Sequence, residues 1–294
     1  MPLELLSPVV IISSALLFVL LERLFPYTKG QRLFHEGFFS DLFLYTFLQS
    51  YVLAWVIFGF IHWLDEVSGF SRLRLMAGFP IWAQVVFFLV THDLYIYLFH
   101  RWQHRNKWLY RLHEAHHSPR EMDWISGSRS HSLEILINQT IEFAPIILLG
   151  AAPEVVVIKG MIDAVWGMYI HSNIDVKSGA LQYIINGPEM HRWHHAKGKG
   201  NSVNYATKLA IWDWLFGTAY LPKDEKPKMY GLTDDSYPLS SPDLPFFQRL
   251  WDETKVYVLQ HTAAFRPFKR KQLSPASRHL SSQRQAERLP CESP

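Results

Sequence analysis

The residues of this chain best suited to chemistry are histidines set at helical spacing. His100 and His104 form H-x-x-x-H, His113, His116 and His117 form H-x-x-H-H, and His191, His194 and His195 repeat that second pattern. Positions i, i+3 and i+4 are neighbours on one helix face, so each group aims its imidazoles at one point. Neutral imidazole ligates zinc, copper, iron and nickel. A structural zinc takes four ligands, and a catalytic zinc three plus water. With His171 there are nine such histidines, too many for one zinc and suited to two metals that keep open positions. Nitrogen-rich ligation with vacant positions fits O₂ activation and favours iron, although zinc meets the same ligand chemistry.

Helix geometry constrains how these groups meet. At about 100° per residue, an unbroken helix would turn His113, His116 and His117 away from His100 and His104. A break is therefore expected near Arg105-Asn106-Lys107. Pro119 disfavours helix at Ser118, which ends the second group near His117. Pro188 suits a first helical position after Asn186-Gly187, and Gly198 suits a helix end.

Other chemistries use part of the same residues. A carboxylate di-iron bundle needs two Glu-x-x-His motifs, and only Glu114-x-x-His117 matches. His113-Glu114-Ala115-His116-His117 also satisfies H-E-x-x-H, the zinc metalloprotease signature with Glu114 as general base. That reading leaves His116 and the other two groups without a role. A membrane metal transporter would place its ligands inside apolar spans, whereas these groups fall just beyond them.

The elements that must position the histidines are apolar. The chain has 294 residues, 49% hydrophobic and 19% charged, with a net charge of +3 that is too small to argue for nucleic acid. Residues 8–21 carry no charge, residues 42–64 have none, and residues 80–99 have only Asp93 and the neighbouring His92. The last two approach the ~20 residues that cross a bilayer as a helix. The first lacks a basic leader and a small-residue cleavage site, and reads as an anchor. Residues 133–150 and 155–170 flank Pro153 as a hairpin that spans the membrane or dips into it, with Lys159 and Asp163 spaced to pair on one face. The expected fold is an all-α integral membrane protein, with four to five apolar helices carrying a cytoplasmic histidine-rich helical cap.

Basic residues set the orientation. Arg23, Lys29 and Arg32, then Arg101, Arg105, Lys107 and Arg111, then Lys269, Arg270 and Lys271 all fall on one side, cytoplasmic by the positive-inside rule. His100 then emerges at that face, and the hairpin returns the chain there at His171. The expected organisation is N-terminal membrane helices over residues 1–79, a catalytic region over 80–222, an extension over 223–263 and a disordered basic tail over 264–294. Cys291 is the single cysteine, which excludes an intrachain disulfide, an iron–sulfur cluster and a cysteine zinc site. There is no glycine-rich nucleotide fingerprint or haem motif either, so electrons must come from an external donor such as a cytochrome or ferredoxin.

Over residues 92–220 the chain resembles the fatty acid hydroxylase superfamily, which includes the sterol desaturases. The resemblance rests on YLFHRWQHRNKWLYRLHEAHHSP, SGSRSHSLE, IHSNID, HRWHH and NYATKLAIWDWLFGTAY, in that order. It implies a membrane-bound enzyme with two non-haem irons that uses O₂ to hydroxylate or desaturate a C–H bond of a lipid, in a bacterial inner membrane or the endoplasmic reticulum. The eight clustered histidines would be iron ligands and His171 a ninth. Some relatives carry a further histidine where this chain has Asp175, so the second iron is one histidine short or uses a carboxylate. His131 matches a recurrent family histidine, which the resemblance implies supports a ligand or faces substrate, with direct ligation the lesser alternative. Asn204 and Asp213, in the closing element, are expected to orient ligand histidines through the second ring nitrogen. His92 and Asp93 lie inside an apolar span, where ionisable groups pair with neighbours or line a polar path.

Overall fold

In the computed structural model, the described residues (2–267) are helical and contain no strand. The expected basic tail lies outside them from residue 268 onward. α1 (Leu3–Leu24) is followed by a π-helical stretch, Ser40–Gln49, that runs without a break into α2 (Ser50–Ser68). α3 (Ile81–Arg105) comes next. These three apolar helical stretches are long enough to cross a membrane. α5 (Ser132–Leu148) and α6 (Pro153–His171) form the expected hairpin, with Pro153 in the first turn of α6.

Short helices build the remainder. α3 stops at Arg105, and Asn106 caps α4 (Lys107–His117) by accepting from the amides of Trp108 and Leu109 at 2.9 and 3.2 Å. The expected break is therefore present, made by an N-cap side chain that satisfies two otherwise orphaned donors. α7 (Pro188–His194) begins at the expected proline but ends before Gly198. α8 (Ile211–Leu215) and α9 (Phe246–Ala263) follow. α1 packs along α6, α2 along α5, and α3 against α4 and α6.

Buried polar groups tie these helices to the loops. Asp93 is wholly buried in α3 and accepts from the amides of Lys208 and Leu209, the Thr207 hydroxyl and the Trp212 indole, at 2.8–3.0 Å. One carboxylate thus anchors the chain that leads into α8, which is the structural role open to it from sequence. Glu22 of α1 accepts from the amides of Trp124 and Asn173 at 2.7 and 2.9 Å. The π-helical stretch turns Asp41, Tyr45 and Gln49 inward, where Tyr45 donates to Gln260 of α9 and Gln49 to the Ser130 carbonyl.

His35 and Asp123 form a buried pair with Nε2 2.8 Å from Oδ2. Burial alone would push the imidazole down, but the charge of Asp123 and its hydrogen bond hold it up at about 9. A raised histidine contributes stability in full below its unfolded value of about 6.5 and loses it as pH rises through the folded value. Thermal stability is therefore expected to decline between about pH 6.5 and about 9. A pH series of melting curves checks this: in His35→Gln that part of the slope should vanish, and an unchanged slope would assign it elsewhere.

Candidate metal centre

The nine histidines singled out by spacing converge, and they divide. His100, His104, His113, His117 and His194 form one group and His116, His171, His191 and His195 the other; within each, donor atoms lie within 4.8 Å of one another. The groups adjoin, with the His117 and His195 rings stacked at 4.5 Å. α4 and α7 each contribute to both, because residues on adjacent positions point about 100° apart.

Four ring nitrogens facing away from the groups are held by acceptors. Nδ1 of His100 donates to the Tyr205 carbonyl at 2.7 Å, His194 to Val203 at 2.8 Å and His171 to Gly167 at 2.8 Å. His113 Nδ1 donates to Glu134 Oε1 at 2.7 Å, and Glu134 also accepts from Gln103. In these four rings the bond fixes the tautomer, so Nε2 carries the lone pair. Yet Nε2 of His100 and His113 are 2.9 Å apart, as are those of His191 and His171, while His194 Nε2 has no protein partner. Lone pairs brought so close call for a cation between them. The donor set therefore fits two metal ions.

Charge state agrees. Burial first, and then mutual repulsion among the imidazoles, pushes His113, His117, His191, His194 and His195 well below the ordinary value. The rings are neutral at pH 7, the form that ligates.

The other residues expected here lie farther out. Asp213 accepts from the amides of Tyr205 and Ala206 and the Thr218 hydroxyl, so it steadies the carbonyl that holds His100 rather than an imidazole itself. Asn204, at φ 53°, donates to the carbonyls of Met190 and Tyr220 and braces α7. His131 caps α5 through the Leu133 amide and donates to the His261 carbonyl, and it belongs to neither histidine group. Asp175 is half exposed, 4.0 Å from Lys226, and likewise belongs to neither.

Three supporting residues went unassigned in the sequence. Glu134 is the carboxylate on His113. Gly127 lies against His171, where a Cβ would sit 2.4 Å from Nδ1, so only glycine leaves room for that ring. Arg192 donates to the carbonyls of Ser172 and Ile174 and packs over Tyr27 with its guanidinium 3.8 Å from the ring centre. A hint of the first two lay in the SGSRSHSLE segment, though not of their contacts. Losing an outer partner of a ligand histidine typically costs 10–100-fold in metal affinity. Glu134→Leu is expected to weaken retention at the five-histidine group by about that factor, and Glu134→Gln, which keeps an acceptor, by less. Chelator competition measures both; wild-type retention in Glu134→Leu would deny the carboxylate this role.

Comparison with known proteins agrees with this geometry. The fatty acid hydroxylase family model matches residues 85–218, a stretch that holds all nine histidines. An ornithine lipid hydroxylase of Rhizobium tropici is 32% identical over 235 residues, covering 76% of this chain and 70% of the relative. The alkylglycerol monooxygenase of Homo sapiens is 32% identical over 142 residues, 48% of this chain and 31% of that protein. A very-long-chain aldehyde decarbonylase of Oryza sativa is 29% identical over 156 residues, 51% of this chain and 58% of its own length. No solved structure matches. With the histidine pattern, its convergence and a relative aligned over most of both lengths, the chain belongs to the fatty acid hydroxylase superfamily.

Proposed function

We propose that this protein is a membrane-bound oxygenase with two non-haem irons that inserts one oxygen atom into a C–H bond of a lipid. The observation that carries the reading is the division of nine neutral imidazoles, eight of them buried, into adjoining groups of five and four. Relatives named as lipid hydroxylase and monooxygenase support the reaction class. The overall step takes a C–H bond, O₂, two electrons and two protons to C–OH and water. Iron bound by these groups supplies the activation of O₂. The chain's own part is to keep the imidazoles deprotonated, to fix their tautomers through Tyr205, Val203, Gly167 and Glu134, and to exclude water by burial.

The groups adjoin Arg101 and Arg105 at the end of α3 and Lys107 at the start of α4, basic residues that favour a cytoplasmic position under the positive-inside rule. The α5–α6 hairpin lies in the bilayer beside the three longer stretches. An acidic cytochrome or ferredoxin supplies the electrons, steered by the basic face. The metalloprotease reading is disfavoured because His113 and His117 share their point with three further imidazoles, where a protease keeps room for water and substrate.

Turnover under ¹⁸O₂ tests the reading. Iron-loaded protein with a chemical or protein reductant is expected to place one labelled oxygen in the lipid, followed by mass spectrometry. A hydroxylated product carrying oxygen from water, or no oxidised lipid with any donor, would sink it.

A further inference from the structure

Ionisable residues recur at fixed depth below the metal groups. His92 lies eight residues before His100 on α3, Glu142 eight after Glu134 on α5, and Asp163 eight before His171 on α6. Eight residues of helix rise about 12 Å. A second polar layer thus lies beneath the histidines. In it Lys159 Nζ bonds Glu142, Asp163 at 2.7 Å and His92 Nδ1 at 3.1 Å, while Lys208 Nζ meets Asp163 at 2.6 Å. Two ammonium groups pair with two carboxylates there, and Asp93, held by its own hydrogen bonds, lies close to Lys208 as a third carboxylate. Charges at this depth are costly to bury and mark functional paths by default.

Between the two layers is a cavity of about 220 Å³. Its walls include His100, His113 and His171 at one end and Glu142, Asp163 and Lys208 at the other. By volume it has room for about seven waters, the size of a small polar group rather than a lipid chain. Glu134 Oε2, Trp166 Nε1 and His92 Nε2 are buried without protein partners, and all three residues line it. Below it the walls turn apolar. A cleft of about 290 Å³ shares His92 and Glu142 with the cavity and adds Phe87, Phe88 and Leu149. A further cleft of about 540 Å³ shares Ile141, Pro145 and Leu149 with that one and is otherwise lined by Phe70, Leu73 and Leu75 among others. The spatial order is metal ligands, cavity, ion layer, then apolar cleft.

We infer that this cavity seats the small zwitterionic headgroup of a lipid, its amine shared by Asp163 and Glu142 and its anion by Lys208, with the chains in the apolar clefts. The inference deepens the oxygenase reading and rests on it for the reaction. A headgroup with charge of both signs adds no net charge to these buried pairs, whereas a singly charged one brings a buried charge of its own. The order of layers then fixes the position of attack. The carbon facing the histidines belongs to the headgroup end of the lipid, and the chains lie too far down to reach them.

The test uses the full chain in detergent with an ornithine lipid, whose headgroup carries an amine and a carboxylate. The same lipid with its amine acetylated and a free fatty acid of equal chain length serve as controls. Native mass spectrometry, which needs no turnover, should show the zwitterion retained at least tenfold over both controls. Lys208→Gln and Asp163→Asn should reduce that preference to within about twofold. As a control for disturbance of the ion layer's folding, Trp166→Phe, which removes one cavity donor and keeps an aromatic ring, should still lower retention severalfold. After turnover of iron-loaded protein, the new oxygen should appear on the headgroup fragment. Equal retention of the fatty acid, or oxygen on an acyl fragment, overturns the headgroup assignment and leaves an oxygenase standing. Preferential retention with no oxidation of any lipid supports the assignment and fails the oxygenase reading instead.

Discussion

Protein purified gently after iron supplementation is expected to carry two metal ions per chain, and His194→Ala to carry about one and lose lipid oxidation to background. His194 is the only residue of α7 in the five-histidine group; its Nε2 has no protein partner and its Nδ1 is held by Val203. Removing it deletes one proposed ligand and leaves the four-histidine group intact. The reciprocal variant, His195→Ala, should empty the other group while sparing the first. Fold should survive both, and circular dichroism verifies this. Element analysis with turnover reads the result. Full activity in His194→Ala would falsify the site assignment, and a single zinc held by His113 and His117 alone would revive the protease reading. Two zincs in place of iron would leave the geometry standing, with oxidation then to be measured after exchange to iron.

The largest effect on stability is expected at Asp41 and Arg129. Arg129 donates from Nε and Nη2 to the two oxygens of Asp41, both at 2.8 Å, with the side chains 2% and 0% exposed. The same guanidinium reaches the Glu36 carbonyl and the Ser118 hydroxyl at 3.2 Å, one residue beyond His117. It therefore ties the π-helical stretch to the end of α4. Gly37 is part of this arrangement: it sits at φ 81°, and a Cβ there would meet Arg129 Nη2 at 2.1 Å. Breaking a buried pair by removing one partner leaves the other charge uncompensated and costs about 3–5 kcal/mol. That is a large share of a total of about 5–15 kcal/mol. Asp41→Asn should thus unfold at much lower denaturant in mixed micelles. The double variant Asp41→Leu with Arg129→Met should recover much of the loss, because well-packed apolar residues replace buried ion pairs at little cost. If Asp41→Asn unfolded within about 0.5 kcal/mol of wild type, as a surface change would, the pair would carry no such weight.

Local pattern determined a good deal about this protein. The histidine spacings predicted shared helix faces, and the angular argument placed a break at Arg105-Asn106-Lys107, where Asn106 caps α4. Pro188 marked the start of α7, Pro153 the hairpin, and the apolar stretches the three long helices. All of these depend on residues a few positions apart, where helix geometry alone sets the relation.

Only the tertiary structure decided which histidine joins which group. The sequence clusters read as units, yet His116 parts from His113 and His117, and His194 parts from His191 and His195. On each helix the i, i+4 pair points one way and the i+3 residue about 60–100° to the side. α4 and α7 are then placed so that the pair on one helix meets the single residue of the other. Nothing in either cluster records that placement. The supporting groups were hidden for the same reason: Asp41 and Arg129 are 88 positions apart, and Glu22 and Trp124 102. Glu134 and Glu142 lie within an apolar stretch of the sequence, and only packing against α4 and α6 reveals one as the partner of His113 and the other as part of the ion layer. A one-dimensional pattern records which face a residue occupies, and burial beside a distant segment decides what that face touches.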